Sequence, residues 1–274
     1  MARPTRSWLF TPGTRPDRFE KAAESGADVL IVDLEDAVAP DEKATARASA
    51  LKYLGSRRSA ALARAVRING LDTLHGLADM QAIIEAAPDP DFIVLPKVES
   101  ADHILILDRL LSRAGIKARI LGIVESARGL AAIEGIAGAS ERLHGLMFGA
   151  ADMAADLGAE VSWNSLFYAR ARIIAACANA RIGAVDSPWF DVRDEPGLVD
   201  EIGKIFNMGF AAKAAIHPLQ IEPINAAFTP SQEDVEQARA ILAENEKGVG
   251  VINGRMIDEA VARKARRVLA AVAG

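Results

Sequence analysis

The chain has 274 residues, of which 50% are hydrophobic and 25% are charged, a composition typical of globular proteins and unlike that of disordered or fibrous chains. Its 32 basic and 37 acidic side chains give a formal net charge of −5, so nucleic acid and anionic membranes are not expected partners. The single cysteine, Cys177, cannot form an internal disulfide, and no apolar run approaches the ~20 residues of a membrane span. We therefore expect a cytoplasmic protein.

Short apolar or β-branched runs alternate with longer helical patterns along most of the chain. This alternation is typical of repeated βα units around a parallel sheet. The runs number eight, which is the strand number of a TIM barrel, and we predict an α/β fold of that class. The predicted strands are 7–11, 29–33, 65–68, 92–95, 120–124, 146–149, 184–186 and 211–216.

Helix-capping residues separate these runs. Pro16 opens a helix that Gly26 closes, which follows the usual preference for proline at the first turn and glycine after the last. Side-chain oxygens at three further positions are suited to accept a hydrogen bond from a free amide at a helix start. They predict caps at Thr73, Ser100 and Ser162, before helices over 73–86, 101–114 and 163–181.

The last part of the chain exceeds what a barrel requires. Ser231, with Asp234 three residues on, predicts a capped helix that runs to about residue 247. Asn253-Gly254 lies between short apolar runs and predicts a hairpin, before a final helix from about Asp258. We therefore predict a TIM barrel over 1–229 and a C-terminal helical and hairpin extension over 230–274.

A TIM barrel builds its active site at the carboxyl ends of its strands and in the loops that follow. Charged residues follow five successive predicted strands, which favours a polar cavity at this end. They are Asp33, Glu35 and Asp36 after the second strand, Arg67 after the third, Lys97 and Glu99 after the fourth, Glu125 after the fifth and Asp152 after the sixth.

Glu125 and Asp152 follow neighbouring strands, and we predict that their carboxylates converge on one divalent cation. Mg²⁺ suits this pair because it takes one or two protein carboxylates and keeps positions for substrate oxygens. Zinc is less suited, since the four histidines are dispersed and the chain has no Cys-x-x-Cys. A structural alternative remains, in which one carboxylate pairs with Arg128 or caps the following helix.

Arg67 and Lys97 each allow two interpretations. The planar guanidinium of Arg67 matches a carboxylate or an enolate, but it could equally form an internal ion pair with Asp33, Glu35 or Asp36. Lys97 could in principle form a Schiff base. The nearby carboxylates would keep its amine protonated, which favours a salt bridge instead.

The order and joint occurrence of several segments resemble the citrate lyase β-subunit-like branch of the HpcH/HpaI aldolase superfamily, which includes malyl-CoA and citramalyl-CoA lyases. The resemblance spans nearly the whole chain. Its segments are RSWLFTPGTRP at 6–16, GADVLIVDLEDAVAP at 26–40, VRIN at 66–69, LPKVES at 95–100, IVESARG at 123–129, FGAAD at 148–152, IHPLQI at 216–221 and GRMID at 254–258.

The resemblance implies that Glu125 and Asp152 hold Mg²⁺ and that Arg67 faces the reacting oxygens of the substrate. It also implies a homo-oligomer, a trimer or hexamer, in which the C-terminal extension caps the active site of a neighbouring subunit. Asp258 would then act as the acid/base at the α-carbon of an acyl-CoA, and Arg15 would lie near the substrate or CoA.

The expected activity is reversible cleavage of a carboxylate-bearing 3-hydroxyacyl-CoA thioester, such as malyl-, citramalyl- or citryl-CoA, into acyl-CoA and a 2-oxo acid. Two alternatives remain: a CoA-independent 2-oxo acid aldolase, and the β component of a multi-subunit citrate lyase that acts on an acyl-carrier protein. Departures from the branch's pattern leave the thioester open. They are the alanines at 211–212, where Asp-Gly is frequent, and Glu259-Ala260, where a proline is common.

Overall fold

The computed structural model describes residues 5–56, 62–246, 250–252 and 255–273. The chain forms two compact units, one over Thr5–Ile224 and one that contains the described residues from Asn225 onward. None of the described helices combines the length and apolar character needed to cross a lipid bilayer.

Eight parallel strands close into a barrel in which each strand pairs with its sequence neighbours and the first pairs with the last. The predicted TIM barrel is thus confirmed, and the predicted strands match those observed to within a few residues. The strands are β1 (Ser7–Pro12), β2 (Val29–Asp33), β3 (Ala63–Arg67), β4 (Phe92–Leu95), β5 (Arg119–Val124), β6 (Leu143–Phe148), β7 (Gly183–Asp186) and β8 (Ala212–Ala215).

Helices follow the strands and surround the barrel. Thr73 and Ser162 accept hydrogen bonds from the amides of Gly76 and Ser165, as predicted. Ser100 occupies the predicted N-cap position, but within the described chain its side chain accepts no capping hydrogen bond. Three 3-10 turns occur at Pro16–Arg18, Pro40–Glu42 and Pro218–Gln220. The helices are α1 (Phe19–Glu24), α2 (Lys43–Leu54), α3 (Leu74–Ala86), α4 (Ala101–Arg113), α5 (Ala127–Ala131), α6 (Ile133–Ala137), α7 (Ala150–Leu157), α8 (Trp163–Ala180), α9 (Glu195–Met208) and α10 (Ile221–Ala227).

Alternate residues of each strand point into the barrel, because side chains in a strand alternate between its two faces. The interior is apolar, and tilted aromatic rings pack together within it, with the centroids of Trp8 and Phe92 4.9 Å apart. At the carboxyl ends of three strands, a charged residue comes two positions after an apolar interior residue, so the same alternation places its side chain on the inner face. This applies to Asp33 after Ile31, Arg67 after Ala65 and Glu125 after Ile123.

The second unit contains the helices and hairpin strands predicted for the extension. Ser231 and Asp234 form a reciprocal capping box at the start of α11 (Gln232–Asn245). Strands β9 (Gly250–Ile252) and β10 (Arg255–Ile257) pair antiparallel, and α12 (Glu259–Ala273) follows and packs on α11. The predicted turn at Asn253-Gly254 lies outside the described residues. That this unit caps a neighbouring subunit stays a prediction.

Candidate active site

Arg67 stands at the end of β3 directly beside Asp33, its register partner at the end of β2. Its Nε and Nη2 atoms donate to the two carboxylate oxygens of Asp33 at 2.7 and 2.6 Å, and its Nη1 lies 2.8 Å from Oε2 of Glu35. The guanidinium also lies 4.9 Å from the ring centroid of Phe10. The internal ion pair therefore exists, and it holds the Arg67 side chain, which is only 12% exposed, in a fixed plane.

Lys97, in the loop after β4, has a left-handed backbone with φ of 52°. Its ammonium group contacts the carboxylates of Glu35 and Asp36. Although partial burial opposes the charged form, these carboxylates raise the pKa of Lys97 above its ordinary value. Lys97 is therefore a salt-bridged cation, as the sequence favoured, and not a neutral amine poised for Schiff-base chemistry.

Glu125, at the end of β5, is 5% exposed and accepts a 2.7 Å hydrogen bond from the backbone N–H of Lys97. Burial raises the pKa of Glu125 to about 8, with further contributions from the carboxylates of Glu35 and Asp152. Asp152 is half-buried in the first turn of α7. The carboxylates of Glu125 and Asp152 thus face each other, an arrangement that a bound cation would stabilise.

Neither structural alternative for Glu125 is realised in the described chain. The cap of α5 is supplied by Ser126, whose Oγ accepts a hydrogen bond from the amide of Gly129. The guanidinium of Arg128 instead lies 3.5 Å from the carboxylate of Glu99. The carboxylate of Glu125 therefore neither caps α5 nor pairs with Arg128, and it lines the cavity described below.

Gly149 allows the end of β6 to approach the side chain of Glu125. A Cβ atom added at Gly149 would lie 2.5 Å from Cβ of Glu125 and 2.6 Å from its Oε2. Such contacts are far inside van der Waals distance, so any larger residue would displace the Glu125 carboxylate or the strand end.

A cavity of about 450 Å³ opens at this end of the barrel and brings these groups together. Arg67, Glu125 and Asp152 all line it, as predicted from their positions after successive strands. Its apolar wall includes Phe10, Pro12, Ile123, Met147, Phe148, Pro188, Phe190 and Ile216, and the remaining lining residues are Arg18, Asp33, Asp36, Ala37, Gly149, Ala150 and Ala151.

Two predicted site residues make other contacts in the described part of the chain. Arg15 forms a bidentate ion pair with Asp17, at 2.7 and 2.9 Å, and Arg18 takes the place in the cavity wall. The sequence carries a signal for Arg18, since it also follows the first strand. Asp258 belongs to the second unit, where its Oδ1 accepts a 3.0 Å hydrogen bond from the amide of Val261 at the start of α12.

Glu125 and Asp152 form a donor set that fits Mg²⁺. The ion binds to one or two carboxylates and completes its octahedron with water and substrate oxygens. Within the described ranges, no group of three or more His, Cys, Asp or Glu side chains is arranged to hold a metal. This carboxylate pair, with Glu125 buried and Asp152 half-buried beside an open cavity, is thus suited to an ion that is shared between protein and substrate.

The HpcH/HpaI aldolase/citrate lyase family model matches residues 6–218, which is most of the chain. The chain belongs to this family. The predicted family and the predicted barrel are both confirmed, and the family match covers every residue of the cavity wall.

Individual members of the family are similar over nearly their whole length. The L-malyl-CoA/β-methylmalyl-CoA lyase of Cereibacter sphaeroides is 37% identical over 98% of this chain and 94% of its own. The structure of RipC from Yersinia pestis is 50% identical, with a TM-score of 0.75, over 84% of this chain and 98% of that one. CitE from Mycobacterium tuberculosis, in complex with magnesium, acetoacetate and coenzyme A, is 31% identical, with a TM-score of 0.83, over 99% of both chains.

Proposed function

We propose that this family member is a Mg²⁺-dependent carbon–carbon lyase. It cleaves, or in reverse forms, a 3-hydroxyacyl-CoA thioester with a carboxylate, giving an acyl-CoA and a 2-oxo acid. The observation that carries this proposal is the facing pair of Glu125 and Asp152, beside Arg67, in the wall of one cavity. The lyase relative that acts on malyl-CoA and the CitE complex with magnesium and coenzyme A support the same chemistry.

Glu125 and Asp152 would hold the metal, which supplies a Lewis acid for the oxygens of the 2-oxo acid. The hydrogen bond from the amide of Lys97 keeps Glu125 in the orientation seen in the structure. The cations Arg67 and Lys97 also offset the acidic cluster of Asp33, Glu35 and Asp36. The carboxylate-bearing substrate therefore meets a mouth whose carboxylates are already partly neutralised.

Arg67 is placed to bind the oxygen at the reacting carbon. A guanidinium has five N–H donors, and the hydrogen bonds to Asp33 use two of them, so donors remain for a ligand beside the ion pair with Glu35. Because the carboxylates hold the guanidinium before the substrate arrives, little reorganisation is needed when negative charge develops. Arg67 would thus stabilise the transition state in either direction.

The acid/base at the α-carbon is assigned to Asp258 of a neighbouring subunit in a homo-oligomer. In cleavage, the 3-hydroxyl group passes its proton to solvent water, its C–O bond becomes the carbonyl of the 2-oxo acid, and the bond between C2 and C3 breaks. The bonding electrons pass to the thioester enolate, and Asp258 donates a proton to its α-carbon. In the synthetic direction, Asp258 removes that proton.

A panel of CoA thioesters with and without Mg²⁺, followed by release of a 2-oxo acid, tests the proposal. We expect turnover of at least one of malyl-, citramalyl- and citryl-CoA that is lost with EDTA and restored by Mg²⁺. Cleavage of free hydroxy acids at comparable rates would instead identify a CoA-independent aldolase. Activity only with an acyl-carrier protein thioester would identify a component of a larger lyase.

A further inference from the structure

A second cavity, of about 490 Å³, lies beside the active-site cavity. The two share a thin wall made of Ala150, Ala151, Pro188 and Phe190. The second cavity is bounded by α7, α8, α9 and the loop after β7, and none of the residues assigned to the reaction lines it. Its other lining residues are Val161, Ser162, Trp163, Leu166, Arg170, Ser187, Trp189, Asp191, Gly197, Asp200, Glu201 and Lys204.

Arg170, on α8, is one of the residues that line this cavity. Its side chain is 3% exposed, and its Nε and Nη2 donate to Asp186 and Glu201 at 2.8 and 3.2 Å. Its guanidinium also lies 5.0 Å from the ring centroid of Phe148 and 5.1 Å from that of Trp163. The remaining nitrogen, Nη1, is buried and has no hydrogen-bond partner within the part of the chain that the structure describes.

Trp189, another residue that lines the cavity, also has a buried donor without a partner in the described chain. The indole Nε1 of Trp189 is buried and finds no acceptor among the described residues. The indole ring is held in place by Gly197, where an added Cβ would lie 2.6 Å from its Cζ2. A buried donor without a partner destabilises the folded state, so two in residues of one cavity lining point to a ligand that supplies acceptors.

Each cation at the cavity is paired with a carboxylate, and Asp191 adds a further carboxylate to the lining. The ammonium of Lys213 binds the carboxylates of Asp186 and Glu201 at 2.8 and 2.7 Å, so that Arg170 and Lys213 together neutralise both acids. The ammonium of Lys204 likewise binds Asp200 at 2.6 Å. An anionic ligand would therefore meet no unpaired cation here, whereas a neutral oxygen would satisfy the free N–H groups without adding charge.

We propose that this cavity is a binding site for a small neutral molecule that has a carbonyl oxygen, such as an amide or a ketone, on an apolar body. The carbonyl would accept hydrogen bonds from Arg170 and Trp189, and the body would pack on Val161, Leu166 and Phe190. Because Ala150 and Ala151 belong to the same helix as Asp152, occupancy would press on the element that carries a carboxylate of the active site. The proposal does not depend on the reaction assigned to the enzyme.

The indole N–H resonances of the three tryptophans give a direct test in the full-length protein labelled with ¹⁵N-tryptophan. Isovaleramide is the probe, and isovalerate is its charged counterpart of nearly equal shape. We expect isovaleramide to shift the Trp189 resonance saturably. Trp8, whose Nε1 already donates to the carbonyl of Thr5 at 2.9 Å, serves as the internal control and should not respond.

Two variants locate the binding. Trp189→Phe removes the indole donor together with part of the ring. It should weaken isovaleramide binding at least fivefold, as measured at the Trp163 resonance, while Glu125→Gln in the neighbouring cavity should leave isovaleramide binding unchanged. Isovalerate should bind at least fivefold more weakly than isovaleramide. The proposal is overturned if isovaleramide does not shift the Trp189 resonance, which is also the result expected if a second copy of the chain fills the cavity. It is equally overturned if Trp189→Phe binds isovaleramide with wild-type affinity.

Discussion

The backbone N–H of Lys97 donates a 2.7 Å hydrogen bond to Oε1 of Glu125, from a residue that is itself in the left-handed region of φ. A side chain in this conformation costs roughly 1–2 kcal/mol relative to the right-handed one. The next amide, that of Val98, donates to the carbonyl of Ile123 at 3.0 Å. The loop after β4 is thus bonded to β5 on both sides of the reversal, and this fixes the orientation of Glu125.

Removing either carboxylate of the proposed metal site should abolish Mg²⁺-dependent binding of a 2-oxo acid. We expect Glu125→Ala and Asp152→Ala to show no heat of pyruvate binding in calorimetry with Mg²⁺ present, at unchanged circular dichroism. Asp156→Asn, one turn further along α7, is the matched control and should bind pyruvate normally. Wild-type Mg²⁺ dependence in both alanine variants would disprove the assignment.

Arg67→Lys should be far from conservative, because a point charge cannot reproduce the planar fork that binds Asp33 and a substrate oxygen. We expect kcat to fall by about 10²-fold or more, the range seen when one oxyanion donor is lost, with little change in Tm. Arg172→Lys on the exposed face of α8 is the control. Wild-type turnover in Arg67→Lys would mean that the ion pair with Asp33 is its whole role.

Asp258 combines a helix cap with a proposed acid/base role, and Asp258→Asn separates them. Asparagine is as good a cap as aspartate, so Tm should be retained, whereas the rate should fall by about 10²–10⁴-fold because the amide cannot exchange a proton. Asp258→Ala should in addition lose ~1 kcal/mol of stability.

Mixing chains tests whether Asp258 acts across subunits. Inactive Asp258→Ala chains and inactive Glu125→Ala chains should regenerate part of the activity when they are refolded together into mixed oligomers. Mass spectrometry would verify that the mixed oligomers form. If verified mixtures stay inactive, each site is completed by its own chain.

The barrel and the placement of Glu125 and Asp152 at one cavity could be predicted from the sequence because their signals are local. Eight apolar runs marked the strands. A charged residue at the end of such a run is expected at the carboxyl end of the barrel, whatever the conformation of the loops. The ion pair between Arg67 and Asp33 was only one of two options, since a sequence does not say whether a guanidinium faces a ligand or an acid.

Long-range and strained features were not accessible in this way. Lys213 lies inside a short alanine-rich strand, and its carboxylate partners Asp186 and Glu201 are set by the packing of β7 and α9, not by spacing along the chain. The left-handed backbone of Lys97 likewise has no local signal, because the residue usually found in that region is glycine.

Gly149→Ala should weaken Mg²⁺ binding by displacing Glu125, since the new methyl group would lie 2.6 Å from its Oε2. The matched substitution is Gly203→Ala in α9, where an added Cβ has no neighbour within 4 Å among the described residues. That control should leave Mg²⁺ affinity intact and stabilise the helix by about 0.5–1 kcal/mol. Equal Mg²⁺ affinity in both variants would show that the strand end yields instead.

His144 should make the barrel less stable in mild acid. Burial lowers the pKa of His144 to about 4 in the native state. Between pH 6.5 and 4, the imidazole is therefore protonated in the unfolded chain but neutral in the native protein. This contribution is complete above pH 6.5, and up to roughly 3 kcal/mol is lost as the pH falls to 4. Thermal unfolding of the wild type and of His144→Phe should therefore give a Tm difference that shifts in favour of the variant as the pH falls. A difference independent of pH would exclude this role.

The closed strand ladder has a consequence for how such an enzyme can diversify. Asp33 and Arg67 end β-strands that are hydrogen-bonded into the barrel wall, and Glu125 directly follows another, so the geometry of these three side chains tolerates little drift. The loops after β7 and β8 contribute Pro188, Phe190 and Ile216 to the cavity and can change length or sequence without breaking that ladder. New thioester preferences can therefore arise by substitution in these loops, while the bond-breaking chemistry is inherited unchanged.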